Sequence, residues 1–188
     1  MLKATLKDKQ LVISLLSEAF ENNHSVNYVV KQDAEKAKRI KALMDYSFNV
    51  CYQYGNVFLS NDSQACALIL YPDKQKSTIL LDLNLVFNCI GLTRAKKVLQ
   101  RNSKIKNQYP EKEIAYLWFI GVNKQQQGKG LGTLLLKEII EYTELLKRPI
   151  YLETSMPQNL PFYKNLGFEI YLELNFGHQL YLMRKPTS

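Results

Sequence analysis

Cysteine is scarce in this sequence, and the few cysteines form no recognisable pattern. The three residues, Cys51, Cys66 and Cys89, are an odd number at unrelated spacings. Such spacings argue against a disulfide framework and against a zinc site, and we expect no metal. Each thiol is predicted to be a small buried hydrophobic group. We therefore expect the protein to work in a reducing compartment, the cytoplasm.

Long apolar runs are also missing. No segment approaches the roughly 18 consecutive apolar residues that would span a membrane, and the N-terminus alternates charged and apolar residues instead of forming a signal-peptide core. The 188 residues are 46% hydrophobic, which suits one domain with a sizeable core. We predict a single domain over residues 1–188 that does not associate with a membrane.

Acidic residues are outnumbered, and the formal net charge is +8. The imbalance is concentrated between Gly91 and Tyr109, a segment with no acid. Its basic residues are Arg94, Lys96, Lys97, Arg101, Lys104 and Lys106. The aromatic interleaving and repeat motifs of nucleic-acid modules are missing there. We predict a solvated helix face and no nucleic-acid partner, with contact to an acidic partner or substrate as the alternative.

Glycine is uncommon too, but three of the eight glycines occupy alternate positions of one segment: Gly128, Gly130 and Gly132. An apolar run at 114–122 precedes them and is typical of a buried central strand. Apolar residues at helical spacing follow them and predict an amphipathic helix. A helix start carries unsatisfied N–H donors and a partial positive charge. The segment, with Lys129 inside it, is therefore predicted to bind a diphosphate.

Two common phosphate-binding motifs do not fit this segment. The phosphate loop of nucleotide triphosphatases needs a glycine where Asn123 stands, and a hydroxyl residue directly after Lys129, where Gly130 stands. The dinucleotide fingerprint needs a glycine at the position of Thr133. A nucleotide triphosphatase loop and a dinucleotide-binding loop are therefore both disfavoured.

The pattern that fits is Gln127-x-x-Gly130-x-Gly132 after a valine. It resembles the coenzyme A pyrophosphate loop of the GNAT superfamily of N-acetyltransferases. In that superfamily an asparagine, a tyrosine and a Gly-Phe pair follow in this order. Here they are Asn159, Tyr163, Gly167 and Phe168. The stretch 152–186 resembles the puromycin N-acetyltransferase branch in particular.

The order of elements agrees with that resemblance. In the N-terminal half we predict a strand at Lys3–Lys7, then helices over 11–20 and 32–49 with a polar turn at 22–28 between them. A hairpin with its turn at 61–63, a buried helix near 80–90 and a basic helix capped by Thr93 follow. The C-terminal half is predicted to contain the central strand, the glycine loop with its helix, a strand, a short helix and two strands. The resemblance implies an α/β (mixed α+β) GNAT fold. Its sheet is mixed, mostly antiparallel, of about six to seven strands, with helices on both faces. The fourth and fifth strands are expected to splay apart around the cofactor.

The resemblance also implies a reaction, in which acetyl-CoA donates its acetyl group to a primary amine of a small molecule by direct attack. The Val122 N–H is expected to stabilise charge on the thioester carbonyl, and the missing side chain of Gly121 to let pantetheine approach the backbone. Tyr163 matches the family's general acid. The expected cofactor-binding residues are Ile120, Gly121, Val122, Gln127, Gly128, Lys129, Gly130, Leu131, Gly132, Thr133, Asn159 and Tyr163.

The general base is less obvious from the sequence. Many family members place a glutamate or histidine on the fourth strand, where this chain has Tyr116 and Trp118. Glu153, on the next strand, is the best carboxylate candidate. The two histidines, His24 and His178, are predicted to be surface or loop residues. By analogy with the family, the aromatic walls of the acceptor pocket are expected to include Tyr28, Tyr116 and Trp118.

Other functional classes stay open at this point. A catalytically inactive acyl-CoA-binding sensor would share the glycine loop, and a protein or peptide N-acetyltransferase would share the chemistry. A nucleic-acid-associated protein would use the basic segment 94–106 and show a steep salt dependence of binding. A nucleotide-dependent oxidoreductase is weakened by the failed fingerprint. We expect a monomer or a homodimer.

Overall fold

A mixed sheet of seven strands forms the centre of the computed structural model, which describes residues 1–187. The strands are β1 (Leu2–Lys3), β2 (Gly55–Leu59), β3 (Ala65–Leu70), β4 (Ala115–Val122), β5 (Ile150–Thr154), β6 (Glu169–Asn175) and β7 (Gln179–Lys185). They lie in the order β1-β2-β3-β4-β5-β7-β6. All neighbours are antiparallel except β4 and β5, which are parallel. The predicted mixed, mostly antiparallel sheet is confirmed.

Helices cover both faces of the sheet, as predicted. They are α1 (Lys9–Ala19), α2 (His24–Val29), α3 (Lys36–Tyr54), α4 (Ile79–Leu85), α5 (Leu92–Lys106), α6 (Leu131–Leu145) and α7 (Leu160–Lys164). Strand β3 shows why two layers form, because all its side chains are buried. Cys66 and Leu68 pack in one core with α1 and α3, while Ala67 and Ile69 pack in a second core with α6. Alternate side chains point to opposite faces of a strand, so an unbroken apolar strand needs cover on both sides.

Strands β4 and β5 part soon after they begin. Their only paired positions in the described chain are Ala115 with Ile150 and Tyr116 with Tyr151. Strand β4 then continues for six residues to Val122 while pairing with β3 alone. The splay that the family resemblance implied is therefore present, and it opens on the C-terminal side of Tyr116.

The N-terminal segment differs from the sequence prediction in two places. The first strand is confined to Leu2–Lys3, because Thr5 turns the chain by donating from its N and its Oγ1 to Asp8 Oδ2, both at 2.8 Å. The predicted polar turn at 22–28 contains helix α2 instead. Asn23 caps that helix by accepting a hydrogen bond from the Val26 N–H at 3.1 Å.

The segment near 80–90 is helical, but it is only partly buried: Ile90 lies in the core, as predicted, whereas the first part of the helix is not covered. Helix α4 continues into a π-helical turn at Val86–Ile90, and Leu80 and Phe87 are 83% and 62% exposed. Gly91, with φ of +80°, precedes α5 in the place predicted for Thr93 as the cap. Apolar periodicity indicated a helix correctly, but it does not report whether another element covers that helix.

An ion pair made by a buried arginine holds the end of the sheet at which β4 and β5 are still paired. Arg148 donates from both terminal nitrogens to the two carboxylate oxygens of Asp73, at 2.6 and 2.8 Å. It also donates to the carbonyl of Ile114 at 3.2 Å, directly before β4. The arginine lowers the pKa of the Asp73 carboxyl. One bidentate pair thus joins the segments after β3, before β4 and before β5.

We expect Asp73→Asn to lower the free energy of unfolding by roughly 1–3 kcal/mol, because a buried guanidinium loses its charged partner. Because the pKa of Asp73 is depressed in the folded state, its stabilising effect is present above the normal aspartate range and is lost as the pH falls through the folded value. Denaturant unfolding at neutral and acidic pH measures both effects.

The matched control is Lys38→Gln, which removes an exposed ion pair with Glu35. It should change stability by less than about 0.5 kcal/mol. Equal losses in the two variants, or a loss at Asp73 that does not shrink in acid, would contradict the role given to this pair.

Candidate active site

The open edge of β4 presents backbone groups toward the gap beside β5. The Asn123 N–H donates to the Gln64 carbonyl at 2.8 Å, so this pair faces β3. Facing and non-facing residues alternate along an antiparallel ladder. Val122 and Ile120 therefore direct their N–H and C=O groups away from β3 and into the gap. These are the two strand residues predicted to bind the pantetheine arm.

The glycine loop that follows β4 leaves its main chain uncovered. Gly128 and Gly130 adopt φ of +78° and +82°, and a side chain at either would meet no atom within 4 Å. Helix α6 begins at Leu131. Across the described residues, no protein acceptor meets the N–H groups of 128–133. These donors, with the positive end of the helix, are suited to an anion next to the gap.

Side chains of the loop fix its shape without occupying those donors. Gln127 reaches back and donates from Nε2 to the Val122 carbonyl at 3.2 Å. Lys129 donates to Gln126 Oε1 at 2.8 Å and stays exposed. The other loop lysine, Lys124, is 3.1 Å from Glu21 and is partly neutralised by it. Lys129 is therefore the better placed of the two to add positive charge.

Gly121 is explained by a protein contact and not by the approach of a ligand. A side chain there would meet Leu16 Cδ2 at 2.9 Å and Ala19 Cβ at 3.3 Å, both on α1. The expectation that its missing side chain makes room for pantetheine is thus corrected. Gly132 is similarly close to its surroundings, since a side chain there would lie 3.3 Å from Val122 Cγ2. It lets the first turn of α6 sit against the end of β4.

Helix α7 places Tyr163 beneath the sheet. Its ring packs against Phe162 and Phe168, with centroids 4.9 and 5.8 Å away, and burial raises the pKa of its hydroxyl. Gly167, with φ of +85°, follows the helix, as its predicted stop requires. Asn159 directly precedes α7 with an exposed side chain that makes no capping bond.

A cavity of about 270 Å³ lies between α2, α5 and the start of the gap. Tyr116 and Trp118 line it, as predicted, and Glu153 lies in its wall. The other aromatic residues of its lining are Phe20, Tyr46, Tyr109 and Phe119. The cavity therefore joins an apolar, aromatic surface to one buried carboxylate.

Glu153 is held between two side chains. The Tyr116 hydroxyl donates to Oε1 at 3.0 Å, and Arg101 Nη2 lies 3.5 Å from Oε2. Burial raises the pKa of the Glu153 carboxyl, and the Arg101 charge and the tyrosine hydrogen bond only partly offset that rise. A carboxylate with a raised pKa is suited to accept a proton near neutral pH.

Two sequence expectations change at this cavity. Tyr28 does not line it; its ring packs against His178, with centroids 5.4 Å apart, and lies 5.8 Å from the Arg101 guanidinium. Arg101 was predicted to belong to a solvated basic face, but it is only 7% exposed. Its spacing carried a signal, since Val98, Arg101 and Ile105 form the buried stripe of α5.

The described residues contain no group of three histidine, cysteine or acidic side chains positioned to hold a metal ion. All three cysteines are buried free thiols. In the same part of the chain, no helix has the length and apolar character needed to cross a bilayer.

Comparison with known proteins identifies the family. The family model described as "Acetyltransferase (GNAT) family" matches residues 66–168, more than half of the chain, from β3 to the residue after Gly167. The chain belongs to the GNAT family of acetyltransferases. The GNAT family uses acetyl-CoA and acts on amines, and the uncovered donors beside the β4–β5 gap suit the diphosphate of that molecule.

Individual relatives are more distant than the family model. An uncharacterized N-acetyltransferase of Schizosaccharomyces pombe is 40% identical over 53 residues, which are 28% of this chain and 22% of the relative, so the match spans about a fifth of that protein. A solved structure from Corynebacterium glutamicum, histone acetyltransferase HPA2 and related acetyltransferase, covers 100% of this chain and 95% of its own. It is 20% identical, with a TM-score of 0.75. Arylalkylamine N-acetyltransferase 2 of Aedes aegypti is 18% identical, with a TM-score of 0.68, over 100% and 98%. These two likenesses show the GNAT fold.

The loop geometry generates a prediction about coenzyme A binding. We expect Gly130→Ala to weaken acetyl-CoA binding about tenfold, because alanine at a positive φ costs about 1–2 kcal/mol and shifts the donors of the loop. Calorimetric titration with acetyl-CoA measures the change.

Gly177→Ala is the matched control. Gly177 also has a positive φ, +87°, and open space around it, but it lies in the turn between β6 and β7. Both variants should lose similar thermal stability, and only Gly130→Ala should lose affinity. Unchanged affinity in Gly130→Ala, or an equal loss in both, would remove the loop from the binding site.

Proposed function

We propose that this GNAT protein transfers the acetyl group of acetyl-CoA to a primary amine of a small molecule by direct attack. One observation carries the proposal: the gap between β4 and β5 has uncovered backbone donors at one end and a cavity with a buried carboxylate at the other. A thioester donor and an amine acceptor entering from opposite ends would meet at this gap. The resemblance to puromycin N-acetyltransferases in 152–186 supports a small acceptor.

The residues proposed to hold acetyl-CoA form two groups. Backbone N–H groups of Gly128 to Thr133 would bind the diphosphate, with the charge of Lys129 beside them. Backbone groups of Ile120 and Val122 would pair with the pantetheine amides as an added strand does. Asn159, which is exposed and makes no capping bond, would bind the same arm.

Each proposed catalytic group either transfers a proton or stabilises a developing charge. When bound, acetyl-CoA supplies an activated acyl group with a thiolate leaving group. Glu153 accepts a proton from the amine, since an ammonium cannot attack. The Val122 N–H stabilises the negative charge that develops on the carbonyl oxygen, an effect typically worth about 3 kcal/mol. Tyr163 donates a proton to the departing sulfur, and the buried hydroxyl keeps its proton until then because its pKa is raised.

The cavity favours a compact acceptor. Its volume of about 270 Å³ lies at the small end of ligand pockets. Trp118 and Tyr116 provide an apolar surface for the body of the amine, and Glu153 provides a site for its nitrogen. These features favour a small, partly apolar amine over a protein chain. The single domain over 1–188 and the cytoplasmic location stay predictions.

A panel of amines with acetyl-CoA tests this proposal by release of the coenzyme A thiol. Turnover with small amines is the expected result. Binding of acetyl-CoA without thiol release for any amine would favour the alternative of an inactive acyl-CoA sensor. Turnover confined to peptides would favour the alternative of a protein or peptide N-acetyltransferase.

Tyr163→Phe should slow turnover about ten- to a hundredfold and leave acetyl-CoA binding within about twofold, because only the proton donor is lost. A thiolate leaves fairly well without help, so the loss should be partial. Tyr52→Phe, on the exposed side of α3, is the control. Equal turnover of Tyr163→Phe and the unmodified protein would remove this tyrosine from the mechanism.

Glu153→Gln should reduce kcat about a hundredfold or more, because the amine loses its base. The general base must be ionised, so activity of the unmodified protein should fall as the pH drops through the Glu153 pKa. Because that pKa is raised, the fall should begin above the usual glutamate range.

A pH profile of kcat/KM measures this acidic limb, the fall in activity at low pH, and Glu153→Gln should lack it. Glu173→Gln, on exposed β6, should keep both the rate and the limb. An unchanged profile in Glu153→Gln would assign the limb to another group.

A further inference from the structure

Arg101 is a rigidly held cation in the wall of the acceptor cavity. Its side chain is 7% exposed, and it lines the cavity from α5. The rings of Tyr28 and Phe176 lie 5.8 and 5.5 Å from the centre of its guanidinium. Cation–π contacts of this kind hold the guanidinium between the two rings. Arg101 therefore offers donors in fixed directions.

The donors of Arg101 are poorly satisfied by the protein. Nη2 is 3.3 Å from Ser25 Oγ and 3.5 Å from Glu153, and Nη1 is 3.3 Å from Asn102 Oδ1. Its Nε–H is buried and has no partner in the described part of the chain. By contrast, Arg148 makes bonds of 2.6 and 2.8 Å to one carboxylate. An arginine that served only to neutralise Glu153 would be expected to engage it in the same way.

The unpaired Nε and the long contacts of Nη1 and Nη2 point to an additional acceptor group supplied by a ligand. A guanidinium presents its N–H groups as a fork that matches a carboxylate. A buried hydrogen-bond donor without an acceptor destabilises the folded protein, so a ligand that brings an acceptor is favoured. A carboxylate in the cavity would provide that partner.

The neighbouring charges specify more than a carboxylate. Arg101 and Glu153 are opposite charges only 3.5 Å apart on one wall. An α-amino acid carries an ammonium and a carboxylate on a single carbon, so its two charges are similarly close together. Its carboxylate can face Arg101 while its ammonium faces Glu153. Trp118 and Tyr46 line the adjoining surface, which suits an apolar or aromatic side chain.

We propose that the acceptor is a free α-amino acid with an apolar side chain, whose carboxylate binds Arg101 and whose amine lies at Glu153. This inference rests on the proposed function and names its substrate class. The amide bond forms between the amine nitrogen and the acetyl carbon as the carbon–sulfur bond breaks. Of the two protons that leave the ammonium, one passes to Glu153 and then to solvent, and the other ends on the thiol.

Phenylalanine and phenylalaninamide form the test pair in thiol-release assays with acetyl-CoA. They differ in the carboxylate alone, and the amide also represents the first residue of a peptide. We expect kcat/KM to be at least about tenfold higher for phenylalanine, because the amide offers Arg101 no carboxylate to bind. The amine of the amide is less basic and more often unprotonated at neutral pH, so amine reactivity opposes this preference.

Arg101→Lys keeps the charge and loses the fork. It should reduce the preference for phenylalanine to about threefold or less, mainly through KM. Lys104→Met removes an exposed charge from the same helix and should keep the full preference. Equal use of acid and amide by the unmodified protein, or the same preference in Arg101→Lys, overturns the proposal.

A binding experiment separates this inference from the proposed function. Trp118 is the only tryptophan in the chain and lines the cavity, so its fluorescence reports occupancy. Phenylacetate should give a saturable change at concentrations about tenfold lower than phenylacetamide, and Arg101→Lys should remove the difference.

The two failures are then distinguishable. If no amine in the panel releases thiol, the proposed function fails, while a response to phenylacetate that depends on Arg101 still supports the carboxylate site. If both probes bind equally, the carboxylate site fails whatever the turnover. Should Arg101→Lys prove unfolded by thermal melting, the acid-to-amide ratios of the unmodified protein decide the question.

Discussion

Two strands that start side by side and then part create the space on which the rest of this structure depends. After Tyr116, strand β4 keeps its hydrogen bonds to β3 and loses its neighbour on the other side. Backbone groups that a continuous sheet would consume are therefore left facing a gap. Backbone N–H and C=O groups need hydrogen-bond partners, so such a gap is suited to a chain of amides. The pantetheine arm of coenzyme A has that chemistry.

The surrounding structure holds this gap open by anchoring its two ends. At the closed end, Arg148 and Asp73 tie the starts of β4 and β5 to the end of β3. At the open end, Gly121 lets α1 pack directly on β4, and Gly132 lets α6 approach from the opposite face. Both glycines thus serve the packing of helices on the strand. The cavity with Glu153 lies beside the point where the strands part.

Local patterns in the sequence predicted the elements whose burial and turns are set by neighbours along the chain. The strand 115–122, the glycine loop, α6 and the Gly167 stop all belong to this group. The exposure of Leu80 was mispredicted, because an apolar stripe does not reveal whether a partner covers it. The predictions for Arg101 and Tyr28 were also wrong. Arg101 lies in the cavity wall and not on a solvated face, and Tyr28 does not line the cavity. Their positions depend on how α2 and α5 dock, which is tertiary information that charge and spacing alone do not encode.

Amide hydrogen exchange with and without coenzyme A tests the central claim most directly, because it reads backbone donors residue by residue. The account predicts new protection at 120–122 and at 128–133 on binding, with no change at the turn between β6 and β7. Protection that appears only around α4 and α5, or none in β4 and the glycine loop at saturating coenzyme A, would contradict it.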